Sequence, residues 1–156
     1  MIVIADTGPL NYLLLIGQVG ILRELYGSLT LPTAVHVELL HPKAPLIVRS
    51  WAANIPEWVE VSTPGLALSF PELGPGEREA IALGLELGAR LIVMDDAAGR
   101  TAAVSSGLPV KGLIGILEEA ASRDLLDLRD AIARLKQTNI FLPDHLVRRV
   151  LKRYQV

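Results

Sequence analysis

The runs MIVIA and RLIVM are apolar along their whole length instead of alternating, and nothing else in this chain constrains its fold so strongly. A strand reads that way when both of its faces are covered, as for a parallel strand between two layers of helices. With SLTLP and LPVKG, these runs alternate with longer segments of helical period: PLNYLLLIGQVGILREL, TAVHVELL, GEREAIALGLEL, AGRTAAVSSG and LIGILEEAASRDLL. The expected class is α/β, a three-layer sandwich of helices around a central parallel sheet. Between His41 and Leu73 prolines are frequent and the pattern loosens; a helix around Leu46 to Asn54, a short strand at Trp58 to Val61 and a loop are expected there. Two helices, Leu128 to Gln137 and Pro143 to Tyr154, fill the last part. In the second, Val147, Val150, Leu151 and Tyr154 recur at helical spacing, with Arg148, Arg149, Lys152 and Arg153 on the other side.

At 156 residues and 51% hydrophobic, the chain is expected to form one domain over residues 1–156, with C-terminal helices in 128–156. The absence of cysteine excludes disulfides, thiolate metal sites and cysteine nucleophiles, and suits a cytoplasmic setting. There is no basic leader, and no apolar run reaches the roughly 20 residues a bilayer span needs, so no membrane partner is expected. A net charge of −2 does not announce a nucleic acid, so a polyanion site would have to come from local clustering, as on the last helix.

In an open parallel sheet the functional crevice lies outside the carboxyl ends of the strands. Asp6 follows MIVIA, and Asp95 and Asp96 follow RLIVM. Pro75 suits a first helical position, so Glu77 falls in the first turn of its helix, while Glu38 interrupts an apolar segment after SLTL. Singly, each acid has a plain use: Glu77 complements a helix dipole, Glu38 sits on a solvated face, and an aspartate after a strand turns or caps the chain. Gathered at one end of one sheet, four carboxylates would repel each other unless a cation sat among them. Oxygen ligands without His or Cys favour a hard ion, Mg²⁺ or Mn²⁺, and that arrangement serves phosphodiester hydrolysis. His36, His41 and His145 lack metal-ligand spacing, GPGERE lacks the last glycine of a phosphate loop, and no GxSxG elbow occurs.

Four stretches in order, IVIADTGPLNYL, LTLPTAVHVELL, LGPGEREAIALGLELGARLIVMDD and GLPVKGLIGIL, resemble the PIN domain family, in particular small prokaryotic PIN proteins. The resemblance implies an α/β/α sandwich and a Mg²⁺- or Mn²⁺-dependent ribonuclease acting on RNA, as the toxin of a toxin–antitoxin pair with a small antitoxin protein as partner, and as a homodimer. It assigns the catalytic and metal-binding acids to Asp6, Glu38, Glu77 and Asp95, with Glu79 competing for the third place; the 18-residue spacing from Glu77 to Asp95 fits the family's helix–turn–strand unit. Asp96 is expected to cap the helix through Arg100 to Val104 and to assist at the metal. Thr7, Arg100, Arg148, Arg149, Lys152 and Arg153 are the expected RNA contacts. The chain departs from the commoner pattern in having Glu at the third acid, Gly8 where many members have Ser or Asn, and Val93 where many have Thr or Ser. The rival reading is a PIN scaffold that binds RNA or a protein without cutting.

Overall fold

The computed structural model describes residues 1–66 and 70–154, so the loop expected before Leu73 lies partly outside the described residues, as do the last two residues of the expected domain. Its strands are β1 (Val3–Ala5), β2 (Leu29–Pro32), β3 (Val59–Ser62), β4 (Leu91–Val93) and β5 (Val110–Lys111). All pair in parallel, in the order β3-β2-β1-β4-β5. The central pair is in register at Val3 with Leu91, Ile4 with Ile92 and Ala5 with Val93.

Alternate residues of these strands enter two separate apolar clusters. Val3, Ala5, Leu29, Leu31 and Val93 face one side, while Ile4, Ile92 and Met94 face the other. The first cluster is completed by α1 (Thr7–Leu15), α2 (Ile21–Tyr26), α3 (Thr33–Leu39), α4 (Leu46–Ala53), α7 (Leu113–Ser122), α8 (Leu128–Leu135) and α9 (Asp144–Arg153). The second is completed by α5 (Pro75–Leu87) and α6 (Ala97–Ser105). Burial on both faces is why the strands are apolar without a period of two, and the three-layer α/β class expected from the sequence is the one observed.

The expected helix in the middle segment and the C-terminal pair are present with shortened ends, and the short strand is shifted by one residue. The segment of helical period from Pro9 to Leu25 is divided between two helices. Gly17, at a φ of 73°, takes the left-handed turn that ends α1 and redirects the chain into α2. Gly88, at φ 65° and ψ 52°, ends α5 in the same way and delivers the chain to β4. On α9 Val147 and Val150 are buried and the four cations are exposed, as its pattern implies. No helix among the described residues is long and apolar enough to cross a membrane.

Strand order runs outward through β2 and β3 on one side of β1, and through β4 and β5 on the other. The order therefore reverses between β1 and β4, and the crevice at their carboxyl ends is where this architecture places ligands.

Candidate metal centre and nucleic-acid interface

Asp6 follows β1 directly, and its N–H donates to the Val93 carbonyl at 2.9 Å, which fixes it in that crevice. The residue is 4% exposed, and Oδ1 has no hydrogen-bond partner. It occupies the N-cap position of α1, yet its side chain makes no capping bond. A charged carboxylate held this way is costly, and the group answers by binding a proton more tightly. Burial pushes its pKa up to about 7; the Thr7 backbone N–H pulls it back, and the charges of Glu77, Glu38 and Asp96 add to the rise.

Glu38, on α3, is aimed at the same place. Thr7 donates its hydroxyl to Oε2 and Gly76 donates its N–H to Oε1 at 3.2 Å. A Cβ on Gly76 would stand 2.8 Å from Glu38 Oε1 and 3.1 Å from Asp6 Oδ1, so the two carboxylates meet over a bare stretch of α5 backbone. This gives the charged residue among Val37, Leu39 and Leu40 its reason.

Glu77 stands one residue further along α5. A Cβ on Gly99 would lie 3.1 Å from Glu77 Cγ and 3.3 Å from Asp96 Oδ2, so these two acids flank the first turn of α6. Glu79 is engaged elsewhere: its Oε1 accepts the Ala34 N–H at 2.8 Å, which ties α5 to the start of α3. Glu77 Oε2 lies over the start of α5, 2.7 Å from where a Cβ on Gly74 would stand, and of the two glutamates it is the one whose charge acts on Asp6.

The structure separates the two residues of the aspartate doublet. Asp95, expected as the fourth acid, is turned away from the other three. Its Oδ1 accepts the Leu113 N–H at 2.9 Å, and a Cβ on Gly112 would lie 2.5 Å from that oxygen and 2.6 Å from Arg100 Nη1. Although the residue as a whole is exposed, its carboxyl is tucked under this turn; burial raises its pKa, against the lowering effects of the Leu113 N–H and of Arg100. Asp96 is the one whose charge acts on Asp6, and it caps α6 through an Oδ2 bond from the Gly99 N–H at 2.8 Å, as expected. The physical reason is the period of two. Val93 faces the α7 side and Met94 the α5 side, so the next step sends Asp95 toward α7 and the one after returns Asp96 toward Glu77.

Asp6, Glu38, Glu77 and Asp96 thus surround the end of β1. Among the described residues no three carboxylate or imidazole groups stand close enough to hold an ion as they are. The donor set nevertheless suits Mg²⁺ or Mn²⁺. All donors are carboxylate oxygens, one of them is buried and unpaired, and Mg²⁺ is commonly held through one or two carboxylates with its remaining places filled by water. Asp6 and Glu38 could hold such an ion directly, and Glu77 and Asp96 could hold its water.

The expected RNA contacts divide into groups. Thr7 serves Glu38. Arg100 lies beside Asp95 and donates from Nη1 to the Met94 carbonyl at 3.3 Å. Arg148, Arg149, Lys152 and Arg153 are exposed on α9, and Arg153 is paired with Glu118 at 3.3 Å. The sequence reading missed Gly76 and Gly99, whose missing side chains let the acids converge; an apolar helix start interrupted by glycine beside an acid was the available signal.

A solved structure supports the architecture: a PilT N-terminus domain protein from the hyperthermophilic archaeon Sulfolobus solfataricus superposes with a TM-score of 0.51 over 92% of this chain and 100% of that one, at 14% identity. At that identity the likeness speaks to the fold alone. No curated protein matches the chain in sequence. The family model for DUF3368, a PIN domain, matches residues 2–155, and with the sheet order and the acids at the β1–β4 switch point already described, the chain belongs to that family of PIN domains.

Proposed function

We propose that this PIN domain is a metal-dependent endoribonuclease that hydrolyses RNA phosphodiester bonds, with Asp6, Glu38, Glu77 and Asp96 as its acids. One observation carries the reading: a buried Asp6 oxygen without a partner, faced by three further carboxylates, is electrostatically unfavourable until a cation joins them. A bound Mg²⁺ or Mn²⁺ supplies a water acidic enough to attack at neutral pH and offsets charge developing on the phosphate. Asp6 and Glu38 would hold the ion, and the Thr7 hydroxyl and Gly76 N–H fix the Glu38 carboxylate beside Asp6. Glu77 and Asp96, less buried, would orient a water at the ion and take up its proton.

The wider setting proposed is that of a cytoplasmic toxin, neutralised by a small antitoxin protein and working as a homodimer. Exposed Val37, Leu46 and Ile47 supply apolar surface that such partners cover. The rival, a scaffold that binds RNA or protein without cutting, draws on the absence of any ready-made group of three ligands among the described residues.

The test is cleavage of a mixed RNA panel with Mn²⁺, with and without EDTA, by wild type and Asp6→Asn. Cleavage abolished by both treatments is expected. Cleavage that persists in EDTA or in Asp6→Asn would remove the metal mechanism, and binding without any cleavage would favour the scaffold.

A further inference from the structure

The four cations of α9 look equivalent along the helix, but the structure separates them. Arg153 is neutralised by Glu118 at 3.3 Å. The Arg149 side chain makes no ion pair or hydrogen bond among the described residues, and it lines a cavity of about 370 Å³ whose other charged residues are Asp95, Arg100, Lys111 and Glu118. Arg148 and Lys152 do not line it.

The floor of this cavity stays low because of glycine. A Cβ on Gly112 would press on Asp95 Oδ1 and Arg100 Nη1, and one on Gly115 would stand 2.7 Å from Lys111 Cγ. Arg100 has the carboxylate of Asp95 beside it, Lys111 is paired with Glu119 at 2.8 Å and Glu118 with Arg153 at 3.3 Å, so Arg149 is the lining cation without an ion pair among the described residues. The cavity reaches the end of β4 next to the acid cluster, since Asp95 lines it and Asp96, the next residue, acts on Asp6 from the other side of the chain.

We propose that this groove carries the RNA chain away from the scissile bond, with Arg149 holding a phosphate next to the one that reacts and Arg100, braced by Asp95, forming the opposite wall. The inference rests on the ribonuclease reading and deepens it, since it names where the uncut part of the substrate lies. RNA is preferred to an acidic peptide because the groove begins one residue from the acid cluster that the ribonuclease reading takes as its active site.

Binding of a short single-stranded RNA of mixed sequence, followed by fluorescence anisotropy in EDTA over a range of salt, tests it. Arg149→Gln should weaken binding several-fold and reduce the slope of log K against log salt by about 0.7, the value for one phosphate contact on a single strand. Arg148→Gln and Arg153→Gln should each stay within about two-fold of wild type. All three positions are exposed, and a thermal melt of each variant confirms its fold. Equal effects at the three positions, or none at Arg149 in a protein that does bind and cleave RNA, would overturn the groove alone. A wild type that neither binds RNA nor cleaves it in Mn²⁺ would remove the ribonuclease reading and the groove with it, and tight binding of a polyglutamate peptide in place of RNA would assign the groove to a protein partner.

Discussion

Asp6 ties stability to pH in a direction opposite to that of an ordinary surface carboxylate. Its folded pKa of about 7 lies above the unfolded value of 3.8, so between those limits the folded chain holds a proton that the unfolded chain has lost. In metal-free buffer, stability should therefore fall as pH rises through that window, by on the order of a few kcal/mol from this group, and then level off. Asp95 is raised in the same sense, by burial. Glu119 works the other way: burial pushes it up, but hydrogen bonds from Lys111 and Tyr26 hold it below its usual 4.5, so its contribution is present above that value and lost as acid is added. Asp6→Asn should flatten the upper slope and raise the melting temperature at neutral pH, as measured by calorimetry in EDTA; an unchanged slope would mean that Asp6 is ionised in the folded chain. Asp95→Ala should lower stability by about 1–2 kcal/mol, because the Leu113 N–H loses its acceptor, and chemical denaturation checks it.

Among the elements, the helices carry the acids and glycine sets how closely they approach. Gly76→Ala should leave the melting temperature nearly unchanged, since alanine suits a helix better than glycine and the nearest atoms belong to carboxylate ends that can swing away. It should nevertheless weaken metal binding severalfold by displacing Glu38 from Asp6, which a Mn²⁺ titration would read. Sequence made much of this level legible. Covered strands announced the parallel sheet, and Pro75 placed Glu77 correctly in the first turn of α5. What it hid were matters of direction. The apolar segment after β1 gave no sign that Gly17 would turn left-handed, and adjacent Asp95 and Asp96 look alike until the alternation of β4 is continued past its last paired residue. Nor could spacing reveal that Glu79 is used up on the Ala34 N–H, because that bond joins helices far apart in the chain.

For the whole molecule, the strand order is what turns scattered acids into a site. β1 and β4 are distant in sequence and adjacent in the sheet, so Asp6 and Asp96 meet only when the sheet is complete. A cation that binds this assembled cluster binds the native state alone and must stabilise it. Mn²⁺ at 100 times its dissociation constant should add about 2.7 kcal/mol to wild type, little to Asp6→Asn, and nearly the full amount to Asp95→Asn. The most direct measurement of the central claim compares Mn²⁺-dependent RNA cleavage by Asp95→Asn and Asp96→Asn, two substitutions that preserve the local hydrogen bonds because asparagine accepts as aspartate does. Asp95→Asn should still cut, whereas Asp96→Asn should fold but not cut. Loss of cleavage in Asp95→Asn, with full activity in Asp96→Asn, would contradict that claim.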